Sequence, residues 1–272
     1  MIILKLGGSI LTNKDLQTSE VNYTNLNRLS AEIKEAISNK NSNKTLDDGL
    51  IIIHGAGSYG HPPAKKYKIG ESFDISEYPE KRIGFSKTQN CVKRLNTIIC
   101  SNFIDHGIPC VSLQASSFIT TKNKRIETFN LDIIKKYLKE GFIPVIYGDV
   151  VIDSELKIAV LSGDQILQFI AKKLKSEEVI LGTDVDGVFN KNPKRYDNAE
   201  IIPNLSSLNQ IEEFDLTTNV DVTGGMIGKI KELLELAELG IESKIINANK
   251  PKIVLNALEN KETRGTVIKI TK

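Results

Sequence analysis

Seven short apolar runs punctuate this chain: IILKL (2–6), LIIIH (50–54), PCVSL (109–113), IPVIYGDVVI (143–152), EVILGT (178–183), SKIIN (243–247) and GTVIKI (265–270). Runs with so little polar alternation need cover on both faces if they form strands. The intervening segments supply that cover: apolar residues recur at helical period over about 24–38, 80–106, 130–140, 163–175 and 225–239. Continuous strands alternating with amphipathic helices predict an α/β fold, a mainly parallel open sheet inside a three-layer αβα sandwich. At 272 residues the chain fits a single domain, 1–272. One continuous sheet with two halves, 1–175 and 176–272, is the simplest arrangement, the soft boundary falling where turn residues become dense. The polar, Asn-rich stretch 38–49 reads as a surface connection.

With 36 basic and 34 acidic side chains, net +2, the chain shows no excess that argues for nucleic acid or a membrane surface as partner. A small positive balance suits an anionic small molecule. No run approaches the roughly 18 apolar residues of a membrane span, and Lys5 with Gly7-Gly8 interrupts what would have to be an apolar leader. Cys91, Cys100 and Cys110 are odd in number and lack C-x-x-C spacing, so they read as reduced thiols. A soluble, cytoplasmic protein is expected.

The run at 50–54 leads into Gly55-x-Gly57-x-x-Gly60, the spacing of a dinucleotide fingerprint. That fingerprint needs a helix at the third glycine and a second strand ending in an acidic residue about 20 positions on. Here HPPAKKYKIGESFDIS follows Gly60, in which Pro62 and Pro63 fit at most a helix start, and no apolar strand precedes Asp74, so the context of a nicotinamide site fails. The first run also ends in glycines, KLGGS (5–9), with a lysine just before them. Glycine permits close backbone approach to an anion at a strand–helix junction, so two such loops can cradle a donor and an acceptor phosphate. A third cluster, TGGMIGK (223–229), offers Thr223 as an N-cap, Gly224-Gly225 as space for a ligand, and Lys229 one turn into a helix. It is not a Walker A loop, because Thr223 stands at the first glycine position and Ile230 replaces the Ser/Thr. Taken alone, Lys229 would read as a solvated helix lysine.

The combination is more specific than any one motif. KLGGS, HGAGSYGH (54–61), YGDVV (147–151), SGDQ (162–165), LGTDVDGVF (181–189) and TGGMIGK occur in an order and spacing that resemble the amino acid kinase family over essentially the full length. Within that family the chain is similar to the archaeal-type branch that phosphorylates isopentenyl phosphate, on the strength of His61 in GAGSYGHPPAKKY, RIGFSKTQN (82–90) and NVDVTGGM (219–226). Relatives that phosphorylate a carboxylate or carbamate lack that histidine. Ala56 stands where a third consecutive glycine is usual, a change that keeps the backbone N–H.

The resemblance implies the amino acid kinase fold, ATP with Mg²⁺ as donor, isopentenyl phosphate as acceptor and isopentenyl diphosphate as product, and a homodimer. The half 1–175 would then bind the acceptor phosphate and 176–272 the nucleotide. Lys5 and Lys229 are expected at the β- and γ-phosphates, and Lys14 at the transferring group. Gly7, Gly8, Ser9, Gly57, Gly225 and Asp184 are expected around ATP. His61, Ala56 and Gly148 should hold the acceptor phosphate, His61 best as a cation, while Asp164 orients the lysines or the loop. Phe85 and Gln89 are placed near the hydrocarbon tail, whereas Ile83, Cys91, Leu95 and Ile98 are mostly core at helical period. His54 and His106 read as structural. No protein metal site is expected, since Asp184 and Asp186 do not match a calcium loop and Mg²⁺ keeps phosphate and water ligands. Two rivals share the fold: a fosfomycin-type phosphonate kinase, and a non-catalytic binder of nucleotides or anions. A uridylate kinase lacks a recognisable base site here.

Overall fold

Strands at the centre of this molecule have no wet face. The computed structural model describes residues 1–13, 19–39, 46, 48–193, 195–211 and 224–270. Within them β1 (Ile2–Leu6), β2 (Leu50–His54), β6 (Ile143–Tyr147) and β9 (Glu178–Thr183) are buried at every position. They lie side by side in an eight-stranded sheet of order β10-β12-β11-β9-β1-β2-β6-β3, with β3 (Cys110–Leu113), β10 (Asn204–Leu205), β11 (Glu242–Asn247) and β12 (Gly265–Ile268) completing it. Pairing is parallel from β11 to β3, and only the β11–β12 pair is antiparallel. The chain leaves β1 toward β2 on one side and reaches β9 on the other. The carboxyl end of β1 is therefore a point where strand order reverses, the usual place for a ligand crevice in an open α/β sheet.

Helices cover both faces. Ile2, Leu4 and Leu6 face one apolar core with Leu26, Leu29 and Ile33 of α2 (Tyr23–Ser38) and Leu95, Ile99 and Phe103 of α4 (Tyr78–Asp105); α1 (Gly8–Leu11) and α8 (Ile253–Leu258) close this layer. Ile3, Ile51 and Ile53 face the other, with Ile166 and Ile170 of α6 (Gly163–Leu174) and Ile230 and Leu233 of α7 (Gly224–Glu238); α5 (Asp132–Lys139) joins them. The expected three-layer, mainly parallel α/β architecture is thus present.

Four local expectations need correction. The run 143–152 is not one strand: Gly148 breaks it into β6 and β7 (Asp149–Asp153), which belong to different sheets. That second sheet, order β5-β4-β7-β8, also contains β4 (Ile119–Lys122), β5 (Arg125–Phe129) and β8 (Lys157–Leu161), so the sheet is not continuous through the chain. Ile83, expected in the core, is 56% exposed. Finally, Pro62 and Pro63 stand inside α3 (Gly57–Lys66) rather than at its start. Pro62 has no N–H for the Ser58 carbonyl, and Ser19 Oγ–H donates to that carbonyl instead at 2.8 Å. The cysteines are free, with Cys100 buried and Cys91 and Cys110 half-buried. Among the described residues no helix is long and apolar enough to cross a membrane.

Candidate active site

Three adjacent strands run directly into glycine, and their loops are stitched together by backbone hydrogen bonds. Gly7 N–H donates to Gly182 O at 2.9 Å, Gly55 N–H to Leu6 O at 3.0 Å, and Gly148 N–H to His54 O at 3.1 Å. The first two loops touch backbone to backbone. A Cβ at Gly8 would lie 2.4 Å from Gly57 N, and one at Gly55 would lie 2.7 Å from Gly8 N. Gly57 itself has φ +50°, a left-handed conformation, with Thr12 Oγ1 packed against it. Thr12 Oγ1–H donates to Gly8 O at 2.8 Å and the oxygen accepts from Ser58 N–H at 3.1 Å, joining the first loop to the start of α3.

The sequence places donors here for a simple reason. The first amides of a helix have no intrahelical acceptor, and the helix dipole favours an anion beside them. Ala56 is the N-cap residue of α3 and brings no capping side chain. His61 follows Gly57 by one turn, on the same face, and is exposed.

Opposite these loops stands a group of charges. The alternation of β1 turns Lys5 to the face of Ile3, toward α6, where only 5% of the residue is exposed. Gly163 leaves room for the lysine stem, since a Cβ there would lie 3.2 Å from Lys5 Cε. Ser162 caps α6, its Oγ accepting from Gln165 N–H at 3.2 Å, which puts Asp164 in the first turn. Asp164 then meets both lysines: Oδ1 is 3.1 Å from Lys5 Nζ and Oδ2 is 4.0 Å from Lys229 Nζ. Lys229 reaches this point because α7 packs on α6, where Gln168 Nε2 donates to Glu235, and on the small sheet, where Arg125 pairs with Glu232 at 2.6 Å.

A third wall comes from α4 and the start of β7. Phe85 packs on Ile69, Val150 and Ile158 with Tyr67 and Ala64. Gln89, one turn on, donates through Nε2 to Ser116 Oγ at 2.9 Å. Ser116 N–H in turn donates to Asp149 at 3.3 Å, and burial pushes the Asp149 carboxyl above its ordinary range.

Most of the expected site residues therefore converge. Lys5, Asp164 and Lys229 meet directly, and Gly7, Gly8, Ser9, Ala56, Gly57 and Gly148 form the adjoining loops. Asp184 is exposed just beyond β9. Asp186 is engaged within the protein, 2.7 Å from both Lys250 Nζ and Asn247 Nδ2, and these bonds hold its carboxyl low. Gly225 lies in the first turn of α7. Lys14 and Thr223 lie outside the described residues. Two residues of this region, Thr12 and Asn96, belong to no sequence motif. Asn96 does leave a signal, because it falls at helical period among Val92, Leu95, Ile99 and Phe103, a polar residue on a buried face. Among the described residues no group of three or more His, Cys, Asp or Glu side chains converges as on a metal.

Comparison with known proteins bears directly on this arrangement. The model of the amino acid kinase family matches residues 1–247. The chain is 47% identical to an isopentenyl phosphate kinase of Methanothermobacter thermautotrophicus over 98% of both chains. A solved structure of isopentenyl phosphate kinase superposes with a TM-score of 0.86 at 44% identity, covering 98% of this chain and 99% of that one. The product complex of the Thermoplasma acidophilum isopentenyl phosphate kinase superposes with a TM-score of 0.77 at 25% identity, covering 99% and 100%. Glycine loops interlocked beside a lysine–aspartate–lysine group, on this fold and with this full-length match, make the chain a member of the amino acid kinase family.

Proposed function

We propose that this protein transfers the γ-phosphoryl group of ATP to the phosphate of isopentenyl phosphate, giving isopentenyl diphosphate and ADP for isoprenoid biosynthesis. The observation that carries this reading is the pair of ammonium groups, Lys5 and Lys229, held on one carboxylate beside two touching glycine loops. An acceptor phosphate already carries negative charge at neutral pH, so one of its oxygens attacks the γ-phosphorus without a general base. The bond from that phosphorus to the β–γ bridging oxygen breaks, and ADP leaves with the electron pair. What the protein must supply is alignment of two anions and neutralisation of their charge.

The residues fit those tasks. Lys5 and Lys229 offset charge on the donor phosphates, and Asp164 keeps the two ammonium groups at a set spacing when no phosphate lies between them. Gly7, Gly8, Ser9 and Gly57 line the donor side with Gly225, Asp184 and Lys14. Ala56, Gly148 and His61 hold the acceptor phosphate, with Phe85 and Gln89 toward its tail. Among the described residues no carboxylate group would cage Mg²⁺, since Asp164 is already taken by two ammonium groups; the ion would arrive on the ATP phosphates and neutralise part of their charge. The reading includes an acceptor half, 1–175, a nucleotide half, 176–272, and a cytoplasmic homodimer.

The test is ADP release with Mg-ATP and a panel of isopentenyl phosphate, dimethylallyl phosphate, fosfomycin, UMP, glutamate and aspartate. Turnover on isopentenyl phosphate, alone or with its isomer, is the expected outcome. Activity on fosfomycin alone would replace the substrate, and silence on all six with ATP still bound would make the protein a binder. His61→Ala should lower kcat/KM for the acceptor at least tenfold while ATP binding, measured by calorimetry, stays within twofold.

A further inference from the structure

His54 ends β2 with none of its surface exposed. Its ring nitrogens are both engaged. Nε2 lies 3.0 Å from Asn96 Nδ2, and Nδ1 lies 3.0 Å from the carbonyl oxygen of Gly55. A carbonyl oxygen can only accept, so the Gly55 carbonyl settles which ring nitrogen carries the proton. The Asn96 amide is oriented to match, its Oδ1 accepting from Ser112 Oγ–H and, at 3.8 Å, from the Cys100 thiol while its NH₂ group faces histidine. Nε2 is therefore an acceptor, the ring proton sits on Nδ1, and Nδ1–H donates to Gly55 O. Tyr147 stacks on the ring, 5.3 Å between centroids and 12° from parallel.

This chain of directed bonds ends on one particular peptide group. A trans peptide is planar, with its C=O and N–H pointing in opposite directions. Fixing the Gly55 carbonyl on His54 therefore fixes the Ala56 N–H on the other side, at the N-terminus of α3, away from the buried network. The backbone carbonyl of His54 itself accepts from Gly148 N–H at 3.1 Å, so both backbone segments assigned to the acceptor phosphate hang on His54.

We propose that His54 is a positioning residue for phosphoryl transfer. Asn96 and Ser112 hold it in one neutral tautomer, and through the Gly55 carbonyl it aims the Ala56 amide at the acceptor phosphate. The inference rests on the acceptor assignment given above. It requires nothing of His54 toward the nucleotide, which distinguishes it from a purely structural histidine whose loss would disturb both substrates alike.

Two substitutions separate the two ring bonds. In His54→Asn the side-chain amide can donate from near the Nδ1 position, keeping the bond to Gly55. In His54→Gln the longer amide reaches Asn96 instead and leaves the Gly55 carbonyl unheld. The expected result is a KM for isopentenyl phosphate raised about tenfold in His54→Gln, the size of one lost directed hydrogen bond, and within about threefold of wild type in His54→Asn. The KM for ATP should stay within twofold in both. Equal effects of the two variants, or parallel changes in the two KM values, would overturn the proposal. Long-range ¹H–¹⁵N NMR of the unaltered protein tests it without any variant: a proton on Nδ1 is expected, and a proton on Nε2 would refute it. Wild-type enzyme run alongside separates the two levels, since its failure to use isopentenyl phosphate would sink the substrate assignment rather than the tautomer.

Discussion

Two polar centres flank the ends of adjacent strands, on opposite faces of the same sheet, and they are built in opposite ways. The Lys5–Asp164–Lys229 group, on the α6 and α7 face, is ionic and partly open, with Asp164 and Lys229 side chains about a quarter exposed. The His54–Asn96 pair, under α4, is neutral and buried, with Ser112 joining it from an exposed position on β3. Burial drives the His54 imidazole down to about 4, helped by the nearby Lys5 charge, so it carries no charge at neutral pH. The contrast follows from what each centre faces. On the proposed reading, ions are retained where phosphate charge would replace a carboxylate partner, since breaking a buried pair without replacement costs several kcal/mol. Where only direction matters, neutral hydrogen bonds give it without the desolvation penalty of a charge.

The contrast can be broken most sharply on the ionic side. Lys229→Ala should lower kcat by roughly 10²–10³-fold, as for loss of one preorganised transition-state donor, with little change in melting temperature because the side chain is only partly buried. Steady-state kinetics and calorimetry on the same preparation would check both parts. A fully active variant would remove the ionic centre from the reaction.

Gly8→Ala tests the contact between the loops rather than either centre. Its Cβ would stand 2.4 Å from Gly57 N and 2.5 Å from Gly57 Cα, both backbone atoms that cannot swing aside. Separation of the loops by a fraction of an ångström to an ångström should cost on the order of 10²-fold in kcat/KM. Both polar centres should survive, which near-ultraviolet circular dichroism of Tyr147 and its neighbours can monitor.

The smallest effect belongs to the neutral centre and appears in pH rather than rate. His54 titrates at about 4 when folded, against 6.5 for an unperturbed imidazole, so between those values the unfolded state binds a proton that the folded state does not. Stability from this residue is complete above pH 6.5 and is lost as pH falls toward 4, by about 3 kcal/mol at most. Asp153, held down to about 2 by its hydrogen bonds, acts below this window. Asp149 and Glu178, pushed up by burial, oppose the trend but do so equally in a variant. The melting temperature of His54→Asn should therefore fall less between pH 6.5 and 4 than that of the wild type. Parallel curves would mean that the histidine is not held neutral.

What could be read from the chain divides along the same physical line. β1, β2 and β9 were legible because burial on both faces writes a continuous apolar run. The small sheet was not, because β5 with the sequence RIETF and β4 with ITTK present polar residues outward, and the single Gly148 that separates β6 from β7 sits inside one apolar run. Lys5, Asp164 and Lys229 lie far apart in sequence, and nothing in their spacing joins them; their association was legible only through the ordered motifs of a family. Thr12 escaped because a hydroxyl that bridges two loops resembles any loop threonine. Asn96 could have been found, as a polar side chain in phase with an apolar helical stripe.

The touching glycines have a consequence for how such a protein can change. Gly8 and Gly57 meet backbone to backbone, with the Thr12 hydroxyl bridging the same two loops, so on the proposed reading the spacing of the first two glycine loops is set without any residue that faces the acceptor tail. It works as a fixed gauge. If Phe85 and Gln89 line the acceptor tail as proposed, their walls can be remodelled for a longer, shorter or more polar acceptor without resetting the distance over which the phosphoryl group must travel. Descendants of this chain can diverge in what they phosphorylate while inheriting the same stroke length.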